Sequence, residues 1–149
     1  MKRFLASEIP DAPPEDCRFH VIPAPLEATV SYGGGTARGP DAILDASFYL
    51  EAYDGSGRPC DAGIATVEPV QGLDEIEAAV SKAWNAGATP VLLGGDHTVA
   101  LGALRALKKA GRKFGVVQFD AHADLRDVYE GRSLSHACVM RRAVDDLGL

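Results

Sequence analysis

Two short stretches of the sequence combine acidic and imidazole side chains at close spacing. Asp120, His122 and Asp124 occupy every second position, separated only by alanine, and they follow a nearly continuous apolar run. The other stretch, Gly-Gly-Asp-His at 94–97, ends in His97 and also follows an apolar run. Carboxylates and imidazoles without thiolates favour harder divalent cations such as manganese, although zinc accepts the same ligand types. The pattern therefore predicts a divalent-cation site built from side chains of these two stretches.

The alternating spacing limits how the second stretch could reach two metal ions. In an extended chain, residues two apart are separated by about 6.6 Å and residues four apart by about 13 Å. Two ions about 3.5–4 Å apart are within reach of Asp120 and His122, whereas Asp124 reaches them only if the backbone curls. The small side chains of Ala121 and Ala123 permit such crowding. We therefore expect the chain to leave the extended conformation before Asp124.

Other residues of the kinds used in catalysis have plainer interpretations. His20 lies in an apolar segment without acidic neighbours, which favours a hydrogen-bonded core histidine. His136 follows Ser135 at a predicted helix start and could simply be exposed. Cys138 lies one turn inside that helix, where a packing role is favoured over that of a nucleophile. The glycines at 33–35 match neither common phosphate-binding pattern and are interpreted as a loop.

Strand and helix patterns alternate along the chain and place both polar stretches at strand ends. Short apolar segments predict four strands, at 18–22, 63–70, 89–93 and 115–119. Helical spacing, N-cap residues and an early proline predict helices beginning at Pro40, Leu73, Thr98 and Ser135. This alternation predicts an α/β fold with a mainly parallel sheet covered by helices on its faces. Sites in such sheets form beyond the carboxyl ends of the strands, so the two stretches are expected to converge.

Composition narrows the class of protein. The 149 residues are 46% hydrophobic and 24% charged, which suits one globular domain. A net charge of −6 argues against a nucleic-acid surface. No apolar run approaches membrane-spanning length, and acidic residues and proline interrupt the start of the chain, so we expect a cytoplasmic protein. The three cysteines lack Cys-x-x-Cys spacing and are expected to be free thiols.

The two polar stretches resemble motifs of the ureohydrolase family, the manganese enzymes that include arginase and agmatinase. The residues at 94–98 resemble its first motif, and Phe-Asp-Ala-His-Ala-Asp at 119–124 resembles its second. The flanking segments 22–47 and 125–142 are similar to the agmatinase branch. The resemblance covers most of the chain from about Val21 onward and implies a three-layer α/β/α, arginase-like fold.

The resemblance also implies roles for individual residues. His97 and Asp124 would bind one manganese ion, His122 would bind the other, and Asp120 would bridge the two. His136 matches the family histidine proposed to shuttle protons near the substrate. The implied reaction is hydrolysis of a small guanidino compound by water activated between the metal ions. In the agmatinase branch this reaction converts agmatine to putrescine and urea.

A third family motif, Asp-x-Asp after a later strand, is absent from the sequence. It contributes two further metal-binding carboxylates, and strands of the later half of the family fold insert between the two motif-bearing strands. Residues 1–149 are therefore interpreted as the amino-terminal portion of a single ureohydrolase domain, weakly active or inactive alone. Expected partners are a complementing carboxyl-terminal half or further copies of the chain.

Two other readings of the sequence stay open. One is a noncatalytic metal-binding or subunit-interaction module whose sheet edge receives a partner. The other is a different guanidino or amide metal hydrolase of the wider arginase-deacetylase fold.

Overall fold

A parallel sheet forms the centre of the computed structural model, which describes residues 1–111 and 113–149. Within these residues the sheet has three strands in the order β2-β1-β3. The strands are β1 (Phe19–Ala24), β2 (Ile64–Thr66) and β3 (Thr89–Gly94). The α-helices are α1 (Gly39–Ser47), α2 (Leu73–Asn85), α3 (Val99–Lys109) and α4 (Val139–Leu147). Short 3-10 turns lie at Pro14–Asp16, Thr36–Arg38, Pro59–Ala62 and His136–Cys138.

Strand β1 lies between the other two strands. Phe19 is opposite Ile64 of β2 and Thr89 of β3, and pairing with β3 continues until Ala24 lies opposite Gly94. Every residue of β1 after Phe19 is buried. A parallel strand with both faces covered needs apolar residues at successive positions, which accounts for its nearly unbroken apolar sequence.

Helices α2 and α3 cover one face of the sheet. Ile22 of β1 packs there with Ile76 and Val80 of α2 and Val99 of α3. The buried residues of α2 recur at helical spacing, which explains why the sequence predicted this helix. Gly102 lets α3 approach α2 closely, because a Cβ at this position would lie 2.6 Å from Cγ2 of Ile76.

The amino-terminal segment and α1 lie on the opposite face. Val21 of β1 lines a cavity there with Phe4, Leu5 and Cys60. Helix α1 is joined to this layer where the Leu5 N–H donates to the Ser47 hydroxyl over 3.0 Å. Covered faces on both sides of a parallel sheet confirm the predicted three-layer α/β/α arrangement.

Helix α4 packs on α3 rather than on the sheet. Leu101 and Leu104 of α3 form a cluster with Val139 and Ala143 of α4, and all four side chains are buried. This contact returns the end of the chain to the helix that begins just after His97. The contact therefore places the helix that follows the second polar stretch beside the helix that follows the first.

The predicted strand at 115–119 is wrong for this chain. The segment has no strand assignment, and no described strand pairs with it. Val117 is 79% exposed and Phe119 is 97% exposed. Apolar residues form a buried strand only where a neighbouring strand offers its hydrogen-bonding groups, and the described part of the chain places none beside this segment.

The predicted side-chain caps are also wrong. Thr98 and Ser135 stand at N-cap positions, but neither side chain makes a capping hydrogen bond. The Thr98 hydroxyl instead donates to the carboxylate of Asp96, which also accepts the Thr98 N–H over 2.9 Å. At the other helix, a 3-10 turn precedes α4, and the Ser135 carbonyl accepts the Cys138 N–H over 2.9 Å. Backbone and neighbouring carboxylate groups thus take the place of the expected caps.

The expectations for His20 and for the three cysteines are confirmed. His20 is 5% exposed, and its Nε2 lies 2.8 Å from the carbonyl oxygen of Pro14, as expected of a hydrogen-bonded core histidine. Cys17, Cys60 and Cys138 are free and buried. In the part of the chain that the structure describes, no helix has the length and apolar character needed to cross a bilayer.

The glycine-rich stretch at 33–35 forms a loop, as expected, and Glu27 anchors it. One carboxylate oxygen of Glu27 accepts the Gly35 N–H over 2.7 Å, the Thr36 hydroxyl over 2.9 Å and the Ala37 N–H over 2.9 Å. Hydrogen bonds from Ala37, Gly35 and Thr36 lower the pKa of Glu27. The N–H groups of Gly35 and Ala37 are therefore engaged by a carboxylate of the same chain, so they are not available to a phosphate.

Candidate metal centre

The loop that carries His97 is held against the loop that follows β1. The Gly95 N–H donates to the Ala24 carbonyl over 3.0 Å, and the Asp96 N–H donates to the Leu26 carbonyl over 2.8 Å. A Cβ at Gly95 would overlap the backbone of Leu26, so only glycine permits this approach. The second glycine of the Gly-Gly-Asp-His stretch thus fixes the course of the chain into His97.

Asp96 turns inward from this loop and is 4% exposed. One of its carboxylate oxygens accepts N–H groups from Ala28 over 2.8 Å and from Thr29 over 3.0 Å, and the other accepts from Thr98. Burial by itself raises the pKa of Asp96, but the hydrogen bonds from Thr98, Ala28 and Thr29 outweigh it and lower the pKa overall. Asp96 therefore ties the loop after β1 to the start of α3, while the ring of its neighbour His97 contacts Asp120 and Asp124.

Asp124 leaves the extended conformation, as the spacing argument expected. Its φ is +49°, in the left-handed region that few residues other than glycine adopt. The Asp124 carbonyl accepts N–H groups from Met140 over 3.1 Å and from Arg141 over 3.2 Å, both in the first turn of α4. Because α4 packs on α3, these bonds bring Asp124 beside His97 at the start of α3.

Three of the four predicted metal ligands come together. Nδ1 of His97 lies 2.6 Å from Oδ2 of Asp124 and 3.7 Å from Oδ2 of Asp120. One ligand atom from each of the three residues lies within 4.8 Å of the others. An imidazole nitrogen and two carboxylate oxygens form a donor set that suits a divalent cation, and the two acids offset its charge. The residues present therefore fit a metal ion.

His122 lies beside this cluster rather than within it. Its side chain is 82% exposed, and its Nδ1 lies 3.7 Å from Oδ1 of Asp120. The backbone N–H of His122 donates to that same oxygen over 2.9 Å. This hydrogen bond is the largest cause of a lowered pKa at Asp120, and Gln118 and the two histidines also lower it, against the opposing effect of burial. The two oxygens of Asp120 thus face two different imidazoles.

His136 and the second polar stretch share a cavity. The cavity has a volume of 520 Å³, and its lining includes His122, Asp124, His136, Tyr129 and Arg126. The rings of Tyr129 and His136 are nearly perpendicular, with centroids 5.4 Å apart. Arg126 lies over Tyr129, with its guanidinium carbon 4.9 Å from the ring centroid. His136 is therefore placed beside the candidate ligands without belonging to their cluster.

Sequence reasoning missed two residues that contact His136. Ser31 Oγ lies 3.1 Å from Nε2 of His136, and Thr29 Oγ1 accepts the His136 backbone N–H over 2.9 Å. Ser31 and Thr29 precede His136 by 105 and 107 positions, a separation over which no spacing argument applies. Their place just after the end of β1, at the same sheet edge as the polar stretches, was the available signal.

The chain is similar to known proteins over a range that contains both polar stretches. A model described as the arginase family matches residues 17–149. The chain belongs to the arginase family. An N(1)-aminopropylagmatine ureohydrolase from Synechocystis is 40% identical over 164 residues, covering 99% of this chain and 53% of that protein. An agmatinase from Bacillus anthracis is 34% identical over 148 residues, covering 90% of this chain and 50% of that protein.

A solved structure agrees with this membership. The crystal structure of agmatine ureohydrolase of Thermoplasma volcanium matches with a TM-score of 0.84 and 34% identity, covering 97% of this chain and 50% of that one. The arginase-like α/β fold implied by the sequence resemblance is thereby confirmed. This arginase-family chain spans about half the length of the curated relatives it matches.

Proposed function

We propose that this chain is the amino-terminal portion of a manganese-dependent ureohydrolase that converts agmatine to putrescine and urea. The observation that carries the proposal is the convergence of His97, Asp120 and Asp124 within 4.8 Å at the carboxyl edge of the sheet. The family membership supports the same chemistry, because the two polar stretches lie within the matched residues 17–149. The names of the relatives, agmatinase and N(1)-aminopropylagmatine ureohydrolase, support a guanidino substrate.

The four ligand residues would divide between two ions. His97 and Asp124 would hold one ion and His122 the other. Asp120 is suited to a bridging role, because Oδ2 lies 3.7 Å from His97 Nδ1 and Oδ1 lies 3.7 Å from His122 Nδ1. When bound, a pair of divalent ions would lower the pKa of water at the site, so that a nucleophile is available near neutral pH.

The remaining residues would manage charge and protons. The carboxylates of Asp120 and Asp124 offset cationic charge in the site, which lessens repulsion of a cationic guanidinium group. His136 lines the cavity that Asp124 and His122 also line, so a substrate there would lie next to its imidazole. His136 is the proposed proton carrier, because imidazoles commonly serve as general acids and bases.

The isolated chain is expected to be weakly active or inactive. It lacks the Asp-x-Asp motif that contributes two further carboxylates in the family, and it spans about half the length of its curated relatives. A carboxyl-terminal half that supplies this motif is the proposed partner. Further copies of the chain are the alternative partner. The cytoplasm is the proposed location.

Urea release provides the direct test. The 149-residue chain is incubated with manganese and agmatine, alone and with the carboxyl-terminal half of an agmatinase relative. We expect little or no urea from the chain alone and clear turnover from the mixture. His97→Ala should abolish that turnover, whereas Asp74→Asn, a charge loss at a side chain that is 100% exposed, should preserve it.

Other outcomes would revise the proposal. Robust turnover by the isolated chain would contradict its expected inactivity. A defined complex that binds manganese tightly by calorimetry yet releases no urea from any guanidino compound would favour the noncatalytic metal-binding module.

N(1)-aminopropylagmatine is the second candidate substrate. The relative from Synechocystis, 40% identical and matched over 99% of this chain, bears that name. Agmatine and N(1)-aminopropylagmatine share the guanidinium end and differ at the remote end, where the second would release a longer polyamine. Parallel assays of the complemented chain with both compounds decide between them through the ratio of kcat/KM.

A further inference from the structure

Hydroxyl groups from one short segment, residues 29–31, contact both ring nitrogens of His136. Ser31 Oγ lies 3.1 Å from Nε2, and Thr29 Oγ1 lies 3.3 Å from Nδ1. Ser135 Oγ also lies near Nδ1, at 3.4 Å. The backbone N–H of His136 donates to Thr29 Oγ1 over 2.9 Å, so Thr29 holds both the backbone and the ring.

Asp96 determines which way the Thr29 hydroxyl points. Oδ2 of Asp96 already accepts two backbone N–H groups, from Ala28 and from Thr29, and it lies 3.3 Å from Thr29 Oγ1. An oxygen that accepts two N–H groups is an acceptor toward the hydroxyl as well, so the Thr29 O–H donates to it. The Thr29 oxygen is then left to accept, and the contact with Nδ1 of His136 requires a proton on Nδ1.

The same reasoning gives the direction of the hydrogen bond at Nε2, on the other side of the ring. With its proton on Nδ1, a neutral His136 has an unprotonated Nε2, which can only accept. The Ser31 hydroxyl therefore donates to Nε2. Ser31 Oγ also lies 3.0 Å from the Tyr129 hydroxyl, and because the single Ser31 proton is engaged, Tyr129 donates to Ser31. The directions of the hydrogen bonds made by Thr29, Ser31 and Tyr129 thus follow from the buried carboxylate of Asp96, and with the proton on Nδ1 the Ser135 oxygen is a second acceptor for it.

We propose that Thr29 and Ser31 are positioning residues that hold neutral His136 in the tautomer with its proton on Nδ1, so that Nε2 accepts a proton from the cavity through the Ser31 hydroxyl, which lines that cavity. The catalytic meaning of this arrangement rests on the proposed function, because it matters for turnover only if His136 carries protons. The tautomer itself is a property of the chain without substrate or metal. Asp96 acts through Thr29, which gives the buried acid of the Gly-Gly-Asp-His stretch a second task besides joining the loops.

Nitrogen-15 spectra of the imidazole rings test the tautomer. The metal-free, uniformly labelled chain is measured at a pH where its four histidines are neutral, and His136→Gln identifies the signals of His136. We expect the coupling pattern of a ring protonated on Nδ1. A His136 ring protonated mainly on Nε2 in the wild-type chain would overturn the proposal without any further variant.

Thr29→Val tests the role of the hydroxyl. The variant removes every contact of the Thr29 hydroxyl, and loss of the one that accepts Nδ1–H should lower the ratio of the Nδ1–H to the Nε2–H tautomer by about two- to tenfold. Thr29→Ser keeps the hydroxyl and should keep the ratio. Thr89→Val makes the same chemical change at an exposed residue of β3 and should also leave the ratio unchanged. Amide spectra establish that each variant is folded, and an unchanged ratio in folded Thr29→Val would overturn the role of Thr29.

Activity of the complemented chain gives a separate readout. If His136 carries protons, Thr29→Val should lower kcat more than it raises KM, and Thr29→Ser should restore kcat. The Nδ1–H tautomer in a complemented chain that hydrolyses no guanidino compound would support the positioning role and contradict the proposed function. Hydrolysis by a chain whose His136 is protonated on Nε2 would do the reverse, so the two failures are distinguishable.

Discussion

The two polar stretches follow similar apolar runs but occupy very different environments. Residues 94–97 come directly from β3, which is paired with β1 over its full length, and Asp96 is 4% exposed. Residues 119–124 follow a segment without a described strand partner, and Phe119 is 97% exposed. Both stretches nevertheless contribute to one cluster, through His97 on one side and through Asp120 and Asp124 on the other.

The difference shows that one site can draw on a packed region and on an exposed one. The second stretch is not held by a sheet but by α4, whose first turn donates to the Asp124 carbonyl. A strand needs neighbours to supply its hydrogen bonds, and this chain spans about half the length of its curated relatives. The apolar residues of 115–119 therefore have the composition of a core strand without the surroundings of one.

Hydrogen exchange should show the largest contrast between the two regions. Amides of Val21 and Ile22 lie in the central strand, whereas Val116 and Val117 belong to the unpaired segment. We expect exchange at the first pair to be slower by at least about a thousandfold, because core strands open only with much of the fold while exposed segments open freely. Mass spectrometry of exchanged fragments measures this ratio. Similar protection in both regions would mean that 115–119 is paired in solution.

Truncation of side chains should give the next largest contrast. Ile76 is fully buried against β1, and Ile76→Ala should lower the free energy of unfolding by about 2–5 kcal/mol. Val117 is 79% exposed, and Val117→Ala should change it by no more than about 0.5 kcal/mol. Urea denaturation followed by circular dichroism measures both. A loss above about 1 kcal/mol for Val117→Ala would show that this segment packs against something.

Replacing one carboxylate in each polar stretch should give a smaller contrast. In metal-free protein, Asp96→Asn should destabilise the fold by about 2 kcal/mol, because a buried charged acceptor of several hydrogen bonds is lost. Asp120→Asn should destabilise the fold far less, since this residue is exposed and an amide oxygen can still accept the His122 N–H. The same denaturation experiment applies. Equal costs would mean that both acids are structural.

A pH titration should reveal the smallest effect. It tests whether an exposed residue can still be held in place by hydrogen bonds. Glu27 is exposed, as Val117 is, but it anchors the glycine-rich loop through Gly35 and Ala37. The pKa of Glu27 is lowered from its ordinary value of 4.5, so the anchor is complete above that value and is lost as the pH falls through the lowered pKa. Amide chemical shifts of Gly35 and Ala37 should follow this titration, and Glu27→Gln should remove it. Shifts that follow the ordinary value would contradict the anchor.

Much of the fold could be predicted because it depends on local patterns. Strands β1 and β3 and helices α2 and α3 lie close to their expected positions, since apolar spacing and glycine breaks determine them within single segments. The need for a bend near Asp124 also followed from spacing alone, and its φ of +49° agrees. The N-caps at Thr98 and Ser135 were wrong because a nearby carboxylate and the backbone supply other partners for the same groups.

The candidate site was predicted less completely than the fold. Side-chain types together with the family resemblance identified His97, Asp120, His122 and Asp124 as one group, yet neither contains information on which imidazole faces the cluster. Only the packing of α4 on α3 turns Asp124 toward His97, and the 82% exposure of the His122 side chain depends on its open surroundings. These orientations arise from contacts between segments that are distant in sequence, which spacing does not encode.

The sequence by itself determined the chemistry that is available: carboxylates and imidazoles at the ends of apolar runs, and glycines where two backbones approach. Tertiary structure alone decided that Asp96 is buried while His97 contacts Asp120 and Asp124, and that hydroxyls of residues 29–31 contact His136. It also decided that 115–119 stays exposed. The physical reason is that side-chain identity and local periodicity are properties of single segments, whereas burial and hydrogen-bond partners are supplied by other segments of the folded chain.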